Sequence, residues 1–166
     1  MMTKADLCGS EKGTGVLELV AAMPLIVFLL AALGTVFVFG VRAYLFLLSD
    51  WALQEQVGYA MERMTADLRY AEDVKMEGGR LQVLCRATSE PAAWVVYEAT
   101  QESWPRMMRG GQPLTGQSTL GKIVMRQFTA KPVGDRTVLL RLVGENLLTG
   151  RTYELETAVT WTGKGT

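Results

Sequence analysis

The chain has 166 residues, no histidine, and 17 Lys plus Arg against 17 Asp plus Glu, so its formal charge is zero. No basic excess exists to neutralise phosphates, which makes nucleic acid an unexpected partner, and the absence of imidazole removes the commonest general base, the commonest metal ligand and every triad built on them. The two cysteines, Cys8 and Cys85, form no C-x-x-C spacing for zinc or redox chemistry.

In chain order, a short polar stretch ending in Glu11-Lys12-Gly13 precedes a run from Val16 to Val41 that is apolar throughout except for Glu18. As a helix this run would be roughly 39 Å long at 1.5 Å per residue, enough to span a hydrocarbon layer of about 30 Å with tilt. A secretory signal peptide has a shorter apolar core followed by a small-residue cleavage site, and neither is found here, so the segment is expected to stay attached. The flanking charges are nearly balanced, with Lys4 and Lys12 before the run matched by acidic residues and Arg42 lying just after it, and the expectation is a cytoplasmic N-terminus. Glu18 is the informative residue, because a carboxylate in an apolar helix costs up to about 2.5–3.5 kcal/mol at the bilayer centre and calls for compensation. At the membrane edge it can also snorkel to headgroup water. Pro24, six residues on, removes a backbone hydrogen bond and favours a kink or local unwinding.

Glu18 is the fifth residue after Gly13. A polar leader ending in glycine, followed by an apolar helix with glutamate at that position, resembles the prepilin peptidase signature of type IV pilins and pseudopilins. The resemblance implies cleavage by prepilin peptidase between Gly13 and Thr14, an N-terminal amine on Thr14 that is commonly methylated in the family, and a role for Glu18 in setting assembly register by pairing with the amine of a neighbouring subunit. Thr14 stands where the family usually has phenylalanine, and Gly15 where it usually has threonine. The glutamate with a proline six residues later also resembles the TadE-type pilin-like proteins.

Beyond Arg42 the apolar residues Leu53, Val57, Met61, Met64, Leu68 and Ala71 recur at intervals of four and three, which predicts an amphipathic helix continuing to the Gly78-Gly79 pair. Strand-like runs follow at Leu81–Cys85, Trp94–Ala99, Arg106–Arg109, Ile123–Phe128, Thr137–Val143 and Tyr153–Trp161, separated by Gly- and Pro-containing turns. In the last run Tyr153, Leu155, Thr157, Val159 and Trp161 alternate with Glu154, Glu156, Ala158 and Thr160, giving an inward and an outward face. A long helix followed by short strands without β-α-β alternation predicts an α+β fold, with the helix packed on an antiparallel sheet. The expected organisation is a leader over 1–13, a membrane half of the helix over 14–44, an amphipathic half over 45–77 and a β head over 78–166. Stretches after the membrane segment, among them Ala60–Met64, Asp67–Ala71, Val96-Tyr97-Glu98, Pro113–Gly116 and Tyr153–Thr157, resemble the J-type minor pseudopilins of type II secretion and the similar W-type minor pilins.

No enzymatic site emerges from the sequence. Glu154 and Glu156 read as solvated outer-face acids, no D-x-D-x-D-G calcium loop occurs, and Gly110-Gly111 reads as a turn. Cys85 reads as a small buried strand residue. Trp94 and Trp161 fall at positions where core is the default, while Trp51 and Trp104 are candidates for exposed contact residues. The expectation is therefore a non-catalytic subunit without cofactor or metal. Its expected partners are prepilin peptidase, other pilins or pseudopilins and the cytoplasmic membrane. The alternative from another class is a signal-anchored extracytoplasmic binding module.

Overall fold

The computed structural model describes residues 11–85, 92–116 and 122–163. The chain divides into two units, Met1–Tyr44 and Leu45–Thr166, and one helix, α1 (Glu11–Arg69), contributes to both. Residues 1–10 of the expected leader over 1–13 lie outside the described residues.

In the first unit α1 is apolar and unpacked. Every side chain from Glu18 to Tyr44 is exposed, Leu25, Phe28 and Phe39 to 70% or more. A window of the helix reaches a mean hydropathy of 2.5 with none of it buried within the chain. So much contiguous apolar surface is unfavourable in water, and its length and composition suit a membrane crossing. The helix assignment runs unbroken through Pro24.

In the second unit the predicted stripe is the spine of the core. Leu53, Val57, Met61, Met64 and Leu68 are buried along one face of α1, with Ala52 and Ala60 beside them, as the 3.6-residue repeat requires. The helix stops earlier than the sequence suggested. It ends at Arg69, and Ala71–Glu77 forms a strand, β1, antiparallel to β2 (Arg80–Cys85), with Glu77 opposite Arg80. Gly78 and Gly79, both at positive φ, are thus the two central residues of a tight hairpin and do not terminate the helix. The pattern over 71–77 fits this outcome: Val74 and Met76 pack against the core, while Lys75 and Glu77 are exposed, a two-residue period.

The strands form two antiparallel sheets, where one was expected. The first has the order β1-β2-β3-β4-β5, adding β3 (Ala93–Ala99), β4 (Met107–Arg109) and β5 (Gln112–Pro113). The second is a meander of β6 (Ile123–Pro132), β7 (Thr137–Asn146) and β8 (Arg151–Thr160). Between β3 and β6 there is no strand ladder. The Met125 N–H instead donates to the Pro105 carbonyl at 2.8 Å, so the loop before β4 occupies the seam. Buried side chains from both sheets, including Leu81, Val83, Tyr97, Met107, Leu140 and Leu142, join the helix stripe in one core. The three strands of the meander run longer than predicted. β8 keeps the expected alternation, with Val159 buried, Glu154 and Glu156 exposed, and Trp161 just beyond it buried. Trp94 departs from expectation: it is exposed to 40%, and the Lys75 ammonium lies 4.7 Å from its ring centroid. The neighbouring positions Val95 and Tyr97 supply the inward face.

Candidate functional site

Two sets of residues bear on function: those near the start of α1, and the polar ties that fix α1 into the head. In the first set, Gly13 and Thr14 lie within the helical span of α1, and Glu18 follows one turn later with its side chain exposed. Among the described residues Glu18 has no hydrogen-bond or ion-pair partner. It is the one acidic residue between Gly15 and Ser49, set in a surface that is otherwise apolar except for Thr35 and Arg42. Its carboxylate is exposed, and the resemblance of the sequence signature implies a cation from another chain as its partner. An ammonium meeting it in low dielectric would be attracted far more strongly than in water.

The second set was not foreseen. Near the start of the head's helix, Asp50 receives hydrogen bonds from Thr149 Oγ1 at 2.6 Å and Asn146 Nδ2 at 3.2 Å, and pairs with Arg151 at 3.0 Å. Buried Asn146 also donates to the Ser49 hydroxyl at 3.0 Å, and its Oδ1 accepts the Leu148 N–H at 3.0 Å. The β7–β8 turn is thereby tied to α1. At the other end Asp67 anchors the first sheet. Its Oδ2 accepts from the Tyr97 hydroxyl at 2.6 Å and from Arg109 Nε at 2.9 Å, and Arg109 Nη2 lies at 2.8 Å. Burial first, and then the bond to Asp67, push the Tyr97 hydroxyl well above the ordinary phenol range. Between these ends Gln56 Oε1 accepts the Gly116 N–H at 2.8 Å.

Close packing joins the polar ties. A Cβ on Gly144 of β7 would come within 2.6 Å of Val57 Cγ2 and 2.9 Å of Leu53 Cδ1, so glycine lets helix and strand approach. Carboxylates at Asp50 and Asp67 carried one detectable sequence signal: each flanks the apolar stripe, where an acid needs a partner. Which partner answers it depends on strands tens of residues away.

Cys85 is half-buried against the core, with its Sγ 3.8 Å from the Asp67 carbonyl. Burial and, secondly, the Asp67 charge push its thiol pKa up, which disfavours the thiolate. An open groove of about 990 Å³ runs beside the β1–β2 hairpin and β6, lined among others by Glu77, Arg80, Glu98, Glu102 and Arg126. Its charges are partly self-satisfied, Arg80 with Glu98 at 2.6 Å and Arg126 with Glu145. Among the described residues no three Cys, Asp or Glu side chains converge in a metal-binding group. No family model, curated protein or solved structure matches the chain.

Proposed function

We propose that this chain is a non-catalytic minor pilin or pseudopilin subunit. On this reading it is held in the cytoplasmic membrane by α1 with the head outside, trimmed after Gly13 by prepilin peptidase, and then packed through its helix into a type IV pilus, competence pilus or type II secretion pseudopilus. The observation that carries the reading is Glu18. It is the fifth residue after a glycine that ends a polar leader, and it sits exposed, without a partner among the described residues, on an apolar helix. A carboxylate there is costly in lipid alone and favourable once a neighbouring subunit brings an ammonium to it, so it rewards docking in one register. The α+β head supports the reading, since its helix stripe is committed to the head's own core and leaves the apolar first half of α1 for lipid or neighbouring helices.

Mass spectrometry of the chain produced beside a prepilin peptidase tests the proposal. Loss of residues 1–13, abolished by Gly13→Leu, is the expected result. A chain that keeps its full N-terminus would favour the signal-anchored binding module.

A further inference from the structure

The β7–β8 turn presents two adjacent leucines to the outside, Leu147 exposed to 39% and Leu148 to 57%. Asn146, Thr149 and Arg151 bracket them, and all three bind Asp50, so the turn is fixed against α1 where the head's helix begins. Phe46 lies one turn before Asp50 on the same side of the helix and is exposed, as is Leu47 at 65%. The Leu147 N–H donates to the Lys122 carbonyl at 2.9 Å, and the Lys122 ammonium sits 4.7 Å from the ring centroid of Trp104, itself exposed to 41%. Leucines at a rigid tip, exposed aromatics nearby and the cations Lys122 and Arg151 at the margin therefore share one end of the head.

We infer that this end of the head is a membrane-surface contact, with the Leu147–Leu148 tip resting in the headgroup and upper acyl region of the bilayer that holds α1. The lipid assignment follows from covalent continuity: the exposed apolar surface of α1 runs to Leu47, three residues before the carboxylate that holds the tip. Apolar side chains rimmed by lysine, arginine and tryptophan are the chemistry of the interfacial layer, where rings and cations meet headgroups and leucines reach about 5–10 Å further in. The polar ties give the contact its use. A tip fixed to Ser49 and Asp50 is held to the first turns of the head's own helix, so a bilayer contact there acts on the head before any neighbouring subunit engages it. The inference rests on membrane anchoring of α1 and not on the pilin assignment.

The test uses the full chain reconstituted in vesicles of phosphatidylethanolamine with a minor share of phosphatidylglycerol, carrying one photoreactive residue at a time. Leu148→benzoylphenylalanine, Glu156→benzoylphenylalanine on the outer face of β8, and Val27→benzoylphenylalanine within α1 all replace exposed side chains, so folding is not at risk. After irradiation, lipid adducts at positions 148 and 27 but not at 156 are expected. Adducts at 27 with none at 148 would overturn the contact, as would a crosslinked dimer from position 148, which would assign the tip to a second copy. Absence of lipid adducts at all three positions would remove the anchoring on which the inference rests.

Discussion

The two stretches of α1, one apolar at nearly every position and the other at about half, have opposite environments. From Glu18 to Leu47 no side chain is buried within the chain, whereas Leu53, Val57, Met64 and Leu68 are 2% exposed or less. The difference lies in patterning. The first stretch is apolar on every side, so no single face is set aside for a sheet, while the second confines its apolar residues to one stripe and places Glu55, Glu62 and Arg63 elsewhere. An all-round apolar helix needs an apolar solvent or several helical neighbours, and a striped one needs a single sheet-bearing partner. On the proposed reading, anchoring and assembly fall to the first stretch, while the second carries the folding of the head.

The contrast makes ranked predictions. Leu68→Ala should cost the head about 2–5 kcal/mol, lowering the melting temperature of the detergent-solubilised full chain by roughly 8–20 °C, whereas Leu30→Ala should leave the head transition in place. Equal effects at the two positions would mean that the first stretch also supports the head. Gly144→Ala should cost about 1–3 kcal/mol in the same melting assay, because a methyl group must displace Val57 and Leu53. Asp67→Asn keeps an acceptor for Tyr97 but removes the charge facing Arg109, and a loss of about 1 kcal/mol is expected in denaturant unfolding.

The smallest effect concerns pH. The Tyr97 hydroxyl titrates higher in the folded head than in the unfolded chain, so the folded state holds its proton more tightly. Its contribution is fully present below the ordinary phenol value of about 10 and is lost as pH rises beyond it. Urea midpoints should fall more steeply above that pH in the parent than in Tyr97→Phe. Parallel pH profiles would show that the hydroxyl contributes nothing.

The stripe and β8 were legible because each repeats a single period over enough residues to fix a face. The end of α1 was not. Leu68, Ala71 and Val74 continue the helical spacing of three, and pairing with β2 decides in favour of a strand over 71–77. Trp94 shows a related limit: alternation divides a strand into two faces but does not say which is inward, and Tyr97 and Val95 win the core while Trp94 takes Lys75 as cover. The candidate processing and register residues Gly13, Thr14 and Glu18 are local in sequence, and their roles are what the resemblance of that stretch to a family signature implies. The ties through Asp50 and Asp67 join residues 30 to 101 positions apart, and no local pattern encodes such partnerships.

The central claim is that Glu18 answers an amine on a neighbouring subunit, and Glu18→Ala expressed with the complete assembly machinery tests it most directly. Removing a lone carboxylate from an apolar helix relieves a desolvation cost, so membrane level and loss of the leader should be preserved. Leaving the Thr14 ammonium without its partner in a packed helical bundle can cost about 3–5 kcal/mol, and the amount of the variant in sheared pili or pseudopili should drop sharply. Wild-type amounts of Glu18→Ala in those fibres would contradict the account.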